Sequence, residues 1–228
     1  TMSMCFPAGF IQMVLFARPK MVYNIDDFIR RGERMTKIGI MGGTFNPIHV
    51  GHVEIARLAR EFANLDEVVF LPSGQPPHKS VCSLASAVDR LNMTALAIYG
   101  ISGFRLSTAE IDRPGTTYTI DTLSEFRNAH PQALLHYIIG GDTLHMLGSW
   151  RQAERLKEFC SAIVAPRSCE DSEMLKSDAH RVRDQLDIQV AVMDRCGPDI
   201  SSTEVRDAAA RGEQLQELTP AAEYIGAH

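Results

Sequence analysis

From Lys37 onward, short apolar runs alternate with longer stretches whose apolar positions recur every three or four residues. Lys37–Met41 reads as a buried strand, and Val50–Ala63 as a helix offering Val53, Ala56, Leu58 and Ala59 for burial. Strand patterns recur at Glu67–Leu71, Phe104–Ser107, Leu134–Ile139, Ala162–Ala165 and Ile188–Met193. Between them fall helical patterns at Leu84–Tyr99, opened by Ser83, and at Thr119–Asn128, Arg151–Phe159, Glu173–Leu186 and Ser202–Arg211. Strands alternating with helices predict βαβ units, hence an α/β fold with a doubly wound parallel sheet covered on both faces. Ligands of such sheets bind at the carboxyl ends of the strands, near the point where the strand order reverses. Functional motifs are expected to converge there.

The first 34 residues carry no comparable pattern and are expected to be an extension outside the core, with residues 35–228 forming one domain. Within the extension, Asn24 is placed to cap a short helix through Asp26–Arg31 that Gly32 closes. The apolar stretch Phe6–Phe16 contains Gln12, has no basic run before it and no small-residue cleavage site after it. It is expected neither to be a signal peptide nor to span a membrane, which takes about 20 apolar residues.

Composition narrows the class. At 45% hydrophobic and 22% charged, the chain reads as globular and soluble. A net charge of -5 speaks against a protein that coats nucleic acid, although a local basic pocket stays open. The five cysteines (Cys5, Cys82, Cys160, Cys169 and Cys196) are odd in number and show no C-x-x-C pair, as expected of reduced thiols in the cytoplasm.

Chemistry concentrates where the first strand ends. Lys37–Met41 runs into Gly42-Gly43-Thr44-Phe45-Asn46-Pro47-Ile48-His49-Val50-Gly51-His52. Two glycines there allow the backbone to approach a phosphate closely, yet the spacing is neither that of a Walker A loop nor G-x-G-x-x-G. His49 and His52 lie three apart on one face of the next helix's first turn, where unpaired N–H groups and the helix dipole attract anions. Two imidazoles and a helix start facing one spot could stabilise the charge that develops on a phosphoryl group. The plain alternative is that either ring caps or packs. Zinc is disfavoured, because two histidines do not close a site and no Cys or third His is suitably spaced nearby.

GGTFNPIHVGH resembles the signature of the nucleotidyltransferase superfamily, whose members share H-x-G-H and transfer adenylyl or cytidylyl groups. The resemblance implies a Rossmann-like nucleotidyltransferase fold for residues 35–228. Three more segments extend it. Ile200-Ser201-Ser202-Thr203-Glu204-Val205-Arg206 is similar to the superfamily's I-S-S-T-x-x-R element, although by itself it reads as a serine cap with a solvent-facing arginine. Gly140-Gly141-Asp142 leaves a second buried strand; Asp142 could cap a helix beginning at Thr143 or, as in enzymes of this type, contact the nucleotide. Pro76-Pro77-His78-Lys79, Thr117-Tyr118-Thr119-Ile120-Asp121-Thr122-Leu123 and Ser149-Trp150 together resemble bacterial nicotinate-nucleotide adenylyltransferases. That similarity runs from about Lys37 to the carboxyl terminus, including Leu218-Thr219-Pro220.

The resemblance implies adenylyl transfer from ATP to nicotinate mononucleotide, a step of NAD biosynthesis, with His49, His52 and Arg206 as catalytic residues. The implied ATP site comprises Gly42, Gly43, Thr44, Phe45, His49, His52, Gly140, Asp142, Ile200, Ser201, Ser202 and Arg206. The implied acceptor site comprises Thr44, His78, Lys79, Thr119, Trp150 and Arg151. Trp150, the single tryptophan, would stack on the pyridine ring but could equally be a core residue, and His78 and Lys79 could be solvated loop charges. Mg²⁺ is implied on the ATP phosphates, with no protein metal site. Where the family often has Asp, this chain has Asn46, expected to be structural in its turn. Another acceptor (nicotinamide mononucleotide or phosphopantetheine) and a non-catalytic ATP sensor remain alternatives, and oligomeric state is open.

Overall fold

The computed structural model describes residues 34–76, 84–167 and 172–227. Six strands form one all-parallel sheet in the order β3-β2-β1-β4-β5-β6, with β1 (Lys37–Gly43) and β4 (Leu134–Gly140) side by side at its centre. The remaining strands are β2 (Glu67–Pro72), β3 (Phe104–Leu106), β5 (Ser161–Ala165) and β6 (Val190–Val192). Consecutive strands β1 to β3 run outward to one side and β4 to β6 to the other, so the order reverses between β1 and β4. This is the doubly wound sheet that the alternating pattern predicts.

Side-chain alternation along the central strands divides the core into two layers. Ile38, Ile40, Val69, Leu71, Leu135, Tyr137 and Ile139 pack on one face with α3 (Thr119–Ala129) and α5 (Ser172–Leu186). Met41, Val68, Phe70, Ile138 and Ile163 pack on the other with α1 (Val50–Ala63) and α2 (Ala87–Ile98). Because both faces are buried, these strands read as continuous apolar runs rather than polar-apolar alternations. Helix α1 buries Val53, Ala56, Leu58 and Ala59, the four residues its spacing nominates, and ends on Asn64 in the left-handed conformation (φ 51°).

Three local expectations shift. Helix α2 starts at Ala87 rather than Leu84, since Ser86 accepts the Asp89 N–H at 3.1 Å and so defines the first turn. Residues 151–159 do not form an α-helix: Gln152 sits at φ 53°, and a 3₁₀ stretch over Ala153–Glu158 follows it, burying Ala153 and Leu156. The helix after β4, α4 (Gly141–Met146), begins before Asp142, with Gly140 as its cap, so Asp142 is not the capping residue. The chain then continues through α6 (Ser202–Ala210) and a short helix, α7 (Ala222–Ala227), that apolar spacing did not indicate. The Asn24 helix and the His78-Lys79 pair lie outside the described residues.

Candidate active site

A cavity of about 780 Å³ opens at the carboxyl ends of β1 and β4, where the strand order reverses. One wall is the loop after β1. A Cβ on Gly42 would collide with the Tyr137 hydroxyl, so only glycine lets β1 leave the sheet this close to β4. Further along the loop, Phe45 adopts φ 49° and buries its ring to 2% exposure, holding the loop in a conformation rare for a non-glycine residue.

The loop delivers His49 and His52 to the amino end of α1. Their rings lie 3.6 Å apart between centroids, and the Phe45 ring meets His52 edge-on at 5.1 Å. His52 Nδ1 accepts the backbone N–H of His49 at 3.2 Å. A neutral His52 therefore carries its proton on Nε2 and acts there as a donor. His49 is 6% exposed, and burial pushes its imidazole down to about 4, with Glu204 opposing and Arg167 adding to the shift. Its Nδ1 is buried against the backbone at the start of α1 rather than open to the cavity. Gly51 makes room for this ring: a Cβ there would sit 3.0 Å from His49 Nδ1 and 3.1 Å from the Pro198 carbonyl oxygen.

Distant segments clamp the loop. Thr219, fully buried, donates to the Ile48 carbonyl at 2.7 Å, and the Val50 N–H donates to the Leu218 carbonyl at 3.0 Å. At the start of α6, Ser201 is the cap: its Oγ accepts the Glu204 N–H at 3.2 Å while Glu204 accepts the Ser201 N–H at 2.6 Å. Ser202 Oγ donates to the Pro47 carbonyl at 2.9 Å, and Arg206 donates to the Asn46 carbonyl at 2.7 Å. Asn46 in turn is 7% exposed and accepts the Ala85 N–H at 2.9 Å on its side-chain oxygen, a structural bond within the turn.

The opposite wall carries Thr119, Trp150 and Arg151. Trp150 stands edge-on to Tyr137 with centroids 5.8 Å apart, and the Arg151 guanidinium lies 4.5 Å from the Tyr118 ring centre. Tyr137 is buried and hydrogen-bonded to Thr119; desolvation pushes its phenol well above the ordinary range. Glu110 lines the same wall at 7% exposure, its carboxyl raised chiefly by burial and bonded by the Thr122 hydroxyl at 2.9 Å.

The cavity thus gathers Gly42, Gly43, Thr44, His49, His52, Thr119, Gly140, Asp142, Trp150, Arg151, Ile200, Ser201 and Ser202. Phe45 supports the loop from the core, and Arg206 is held on the loop's Asn46 carbonyl beside the cavity-lining Ser202. Asp142 is exposed and paired with Arg167 at 3.0 Å. Sequence reasoning did not nominate Arg167, Glu110 or the buried Arg90. Arg90 alone had a legible signal, being a cation in the apolar stripe with Met93, Thr94, Ala97 and Ile98.

Residues 40–208 match the model of the cytidylyltransferase-like family, so fold and site together define a nucleotidyltransferase. A protein of Synechococcus sp. (strain JA-3-3Ab) named probable nicotinate-nucleotide adenylyltransferase is 41% identical over 196 residues, covering 84% of this chain and 93% of the relative. A protein of Pelobacter propionicus with the same name is 40% identical over 198 residues, covering 81% and 92%. The chain belongs to this nicotinate-nucleotide adenylyltransferase family. Among solved structures, Plasmodium falciparum nicotinic acid mononucleotide adenylyltransferase complexed with NaAD shares the fold, with a TM-score of 0.65 at 19% identity over 83% of this chain and 96% of that one.

Proposed function

We propose that this chain transfers the adenylyl group of ATP to nicotinate mononucleotide, releasing nicotinate adenine dinucleotide and pyrophosphate, as a cytoplasmic step of NAD biosynthesis. The observation that carries the reading is the stacked His49-His52 pair at the amino end of α1, sharing one cavity with Thr119 and Trp150. No acidic residue occupies the first turn of α1, so the dipole there is available to an anion.

The acceptor's phosphate has a second pKa near ~6 and is largely dianionic at neutral pH. Its oxygen attacks the α-phosphorus, the bond from that phosphorus to the bridging oxygen breaks, and the electron pair leaves on pyrophosphate. No proton need be moved, which fits a site whose central groups are imidazoles rather than a carboxylate base. His52 donates from Nε2 to the α-phosphate, and the buried His49 ring fixes His52 through their contact. Their task is alignment and charge neutralisation, the two effects that chiefly accelerate phosphoryl transfer.

Ser202 and Arg206 take the β- and γ-phosphates by exchanging the Pro47 and Asn46 carbonyls for phosphate oxygens. Asp142 serves the nucleotide after leaving Arg167. Trp150 offers its face to the pyridine ring, with Thr119 and Arg151 beside it. Mg²⁺ carried on the ATP phosphates would neutralise part of their charge. Residues 35–228 would form the working domain.

The test is pyrophosphate release with ATP and, in turn, nicotinate mononucleotide, nicotinamide mononucleotide and phosphopantetheine. Release with the nicotinate nucleotide is expected. No release with any of them would overturn the transfer reading, and preference for the amide would overturn the acceptor assignment.

A further inference from the structure

Arg90 is a cation buried among the mostly apolar inward positions of its helix. It lies on α2 with 2% exposure, in the buried stripe that continues through Met93, Thr94, Ala97 and Ile98. Among the described residues no carboxylate pairs with it. Its guanidinium instead donates to four backbone carbonyls: Thr44 at 2.8 Å, Ser73 at 2.6 Å, Gly74 at 3.0 Å and Ala85 at 3.2 Å. Burial lowers its pKa, yet a guanidinium stays charged. Leucine or methionine here would leave these buried carbonyls without their donor, and each one left unsatisfied carries its desolvation cost. What the guanidinium supplies and an apolar residue cannot is a rigid planar fork joining separate segments.

Those segments are the two sides of the cavity. Thr44 follows β1 and immediately precedes Phe45 and the turn that delivers His49. Ser73 and Gly74 follow β2, and the next residue, Gln75, accepts the Thr117 N–H at 3.2 Å, which ties this loop to the wall carrying Thr119. Apart from Arg90, the two loops share the Ser73 N–H to Gly43 carbonyl bond at 2.8 Å. Ala85, the fourth acceptor, also holds Asn46 through its N–H, so the same fork reaches the far end of the turn.

We propose that Arg90 is a positioning residue for adenylyl transfer, fixing the distance between the nucleotide-side loop at Thr44 and the acceptor-side loop at Ser73-Gly74. It touches neither substrate. It acts by setting where the α-phosphate stands relative to the attacking oxygen, a relation in which a displacement of ~1 Å costs about 100-fold in rate. Lysine keeps the charge but carries its donors on a single nitrogen, without the rigid fork that here reaches four carbonyls.

The inference rests on the proposed reaction, and its test separates the two. R90K and R90Q are prepared alongside wild type, and each is measured for steady-state kinetics, thermal unfolding and hydrogen exchange. Both variants are expected to fold and to lose at least about 30-fold in kcat, with KM for ATP and for nicotinate mononucleotide within about threefold of wild type. Exchange at residues 43–46 and 73–76 is expected to rise at least about tenfold in both variants, while β5 and β6 keep wild-type protection.

A folded R90K with wild-type kcat overturns the proposal, and so does a rise in both KM values at unchanged kcat. Failure of both variants to fold also overturns it, because Arg90 would then be a residue of stability. If wild type itself shows no turnover, the transfer reading fails and the exchange experiment decides alone whether Arg90 holds the two loops.

Discussion

Arg206 donates to the Asn46 carbonyl at 2.7 Å, so the cation expected to meet the triphosphate is fastened to the very turn that leads to His49. A second bond, from the same nitrogen to the Ser202 carbonyl at 3.1 Å, keeps the side chain along α6. Arg206→Ala therefore removes both a phosphate partner and a strut. KM for ATP is expected to rise at least about tenfold and kcat to fall, with a loss of roughly 1–2 kcal/mol in unfolding free energy from the unpaired carbonyl. Steady-state kinetics and denaturant titration check the two parts separately.

His52→Ala removes the donor assigned to the α-phosphate. Loss of one such donor costs about 100- to 1,000-fold in kcat, and ATP binding, followed by calorimetry, is expected to survive. Equal loss of binding and turnover would make His52 a residue of folding or binding.

Gly51→Ala tests the room beside His49. The added methyl would sit 3.0 Å from Nδ1 and 3.2 Å from Cε1 of that ring, so the ring must shift by a few tenths of an ångström. A fall of about tenfold in kcat with the fold retained is the expected outcome. Wild-type turnover would show that the ring position is not critical.

Trp150→Ala is expected to raise KM for nicotinate mononucleotide by about tenfold, the equivalent of a lost aromatic stacking contact. KM for ATP should hold within about twofold. A larger effect on ATP than on the acceptor would place Trp150 in the wrong half of the site.

Acid titration reads His49 directly. Its imidazole is held at about 4 in the folded chain against 6.5 unfolded. Between those values the unfolded state binds the extra proton, so this residue's contribution is fully present above pH 6.5 and is lost as pH falls towards 4. The difference is about 3 kcal/mol. Wild type is expected to lose about that much more unfolding free energy than His49→Gln between pH 7 and pH 4, by denaturant titration. Groups such as Glu110, which titrate in both proteins, cancel in the comparison.

Much of the site was legible because its residues are contiguous. Gly42 to His52 and Ile200 to Arg206 each carry several functional groups within one strand-to-helix turn, and local geometry already orients them. Helix α1 was legible for the same kind of reason, its apolar spacing agreeing with a core on one side. Arg151–Phe159 misled because its spacing suits a helix while Gln152 takes a left-handed conformation that no pattern announces. His78 and Lys79, read as acceptor contacts, lie outside the described residues.

The sequence by itself determined the alternating strands and helices, the parallel sheet with two covered faces, and the pairing of His49 with His52 on one helical turn. All of these follow from periodicity and short-range sterics. Only the tertiary structure decided which strand ends meet, that Arg206 points at Asn46, that burial leaves His49 an uncharged imidazole, and that Arg90 joins loops about 30 residues apart in the chain. Those are outcomes of desolvation and of contacts between residues far apart in sequence, and neither is encoded in the spacing of any single segment.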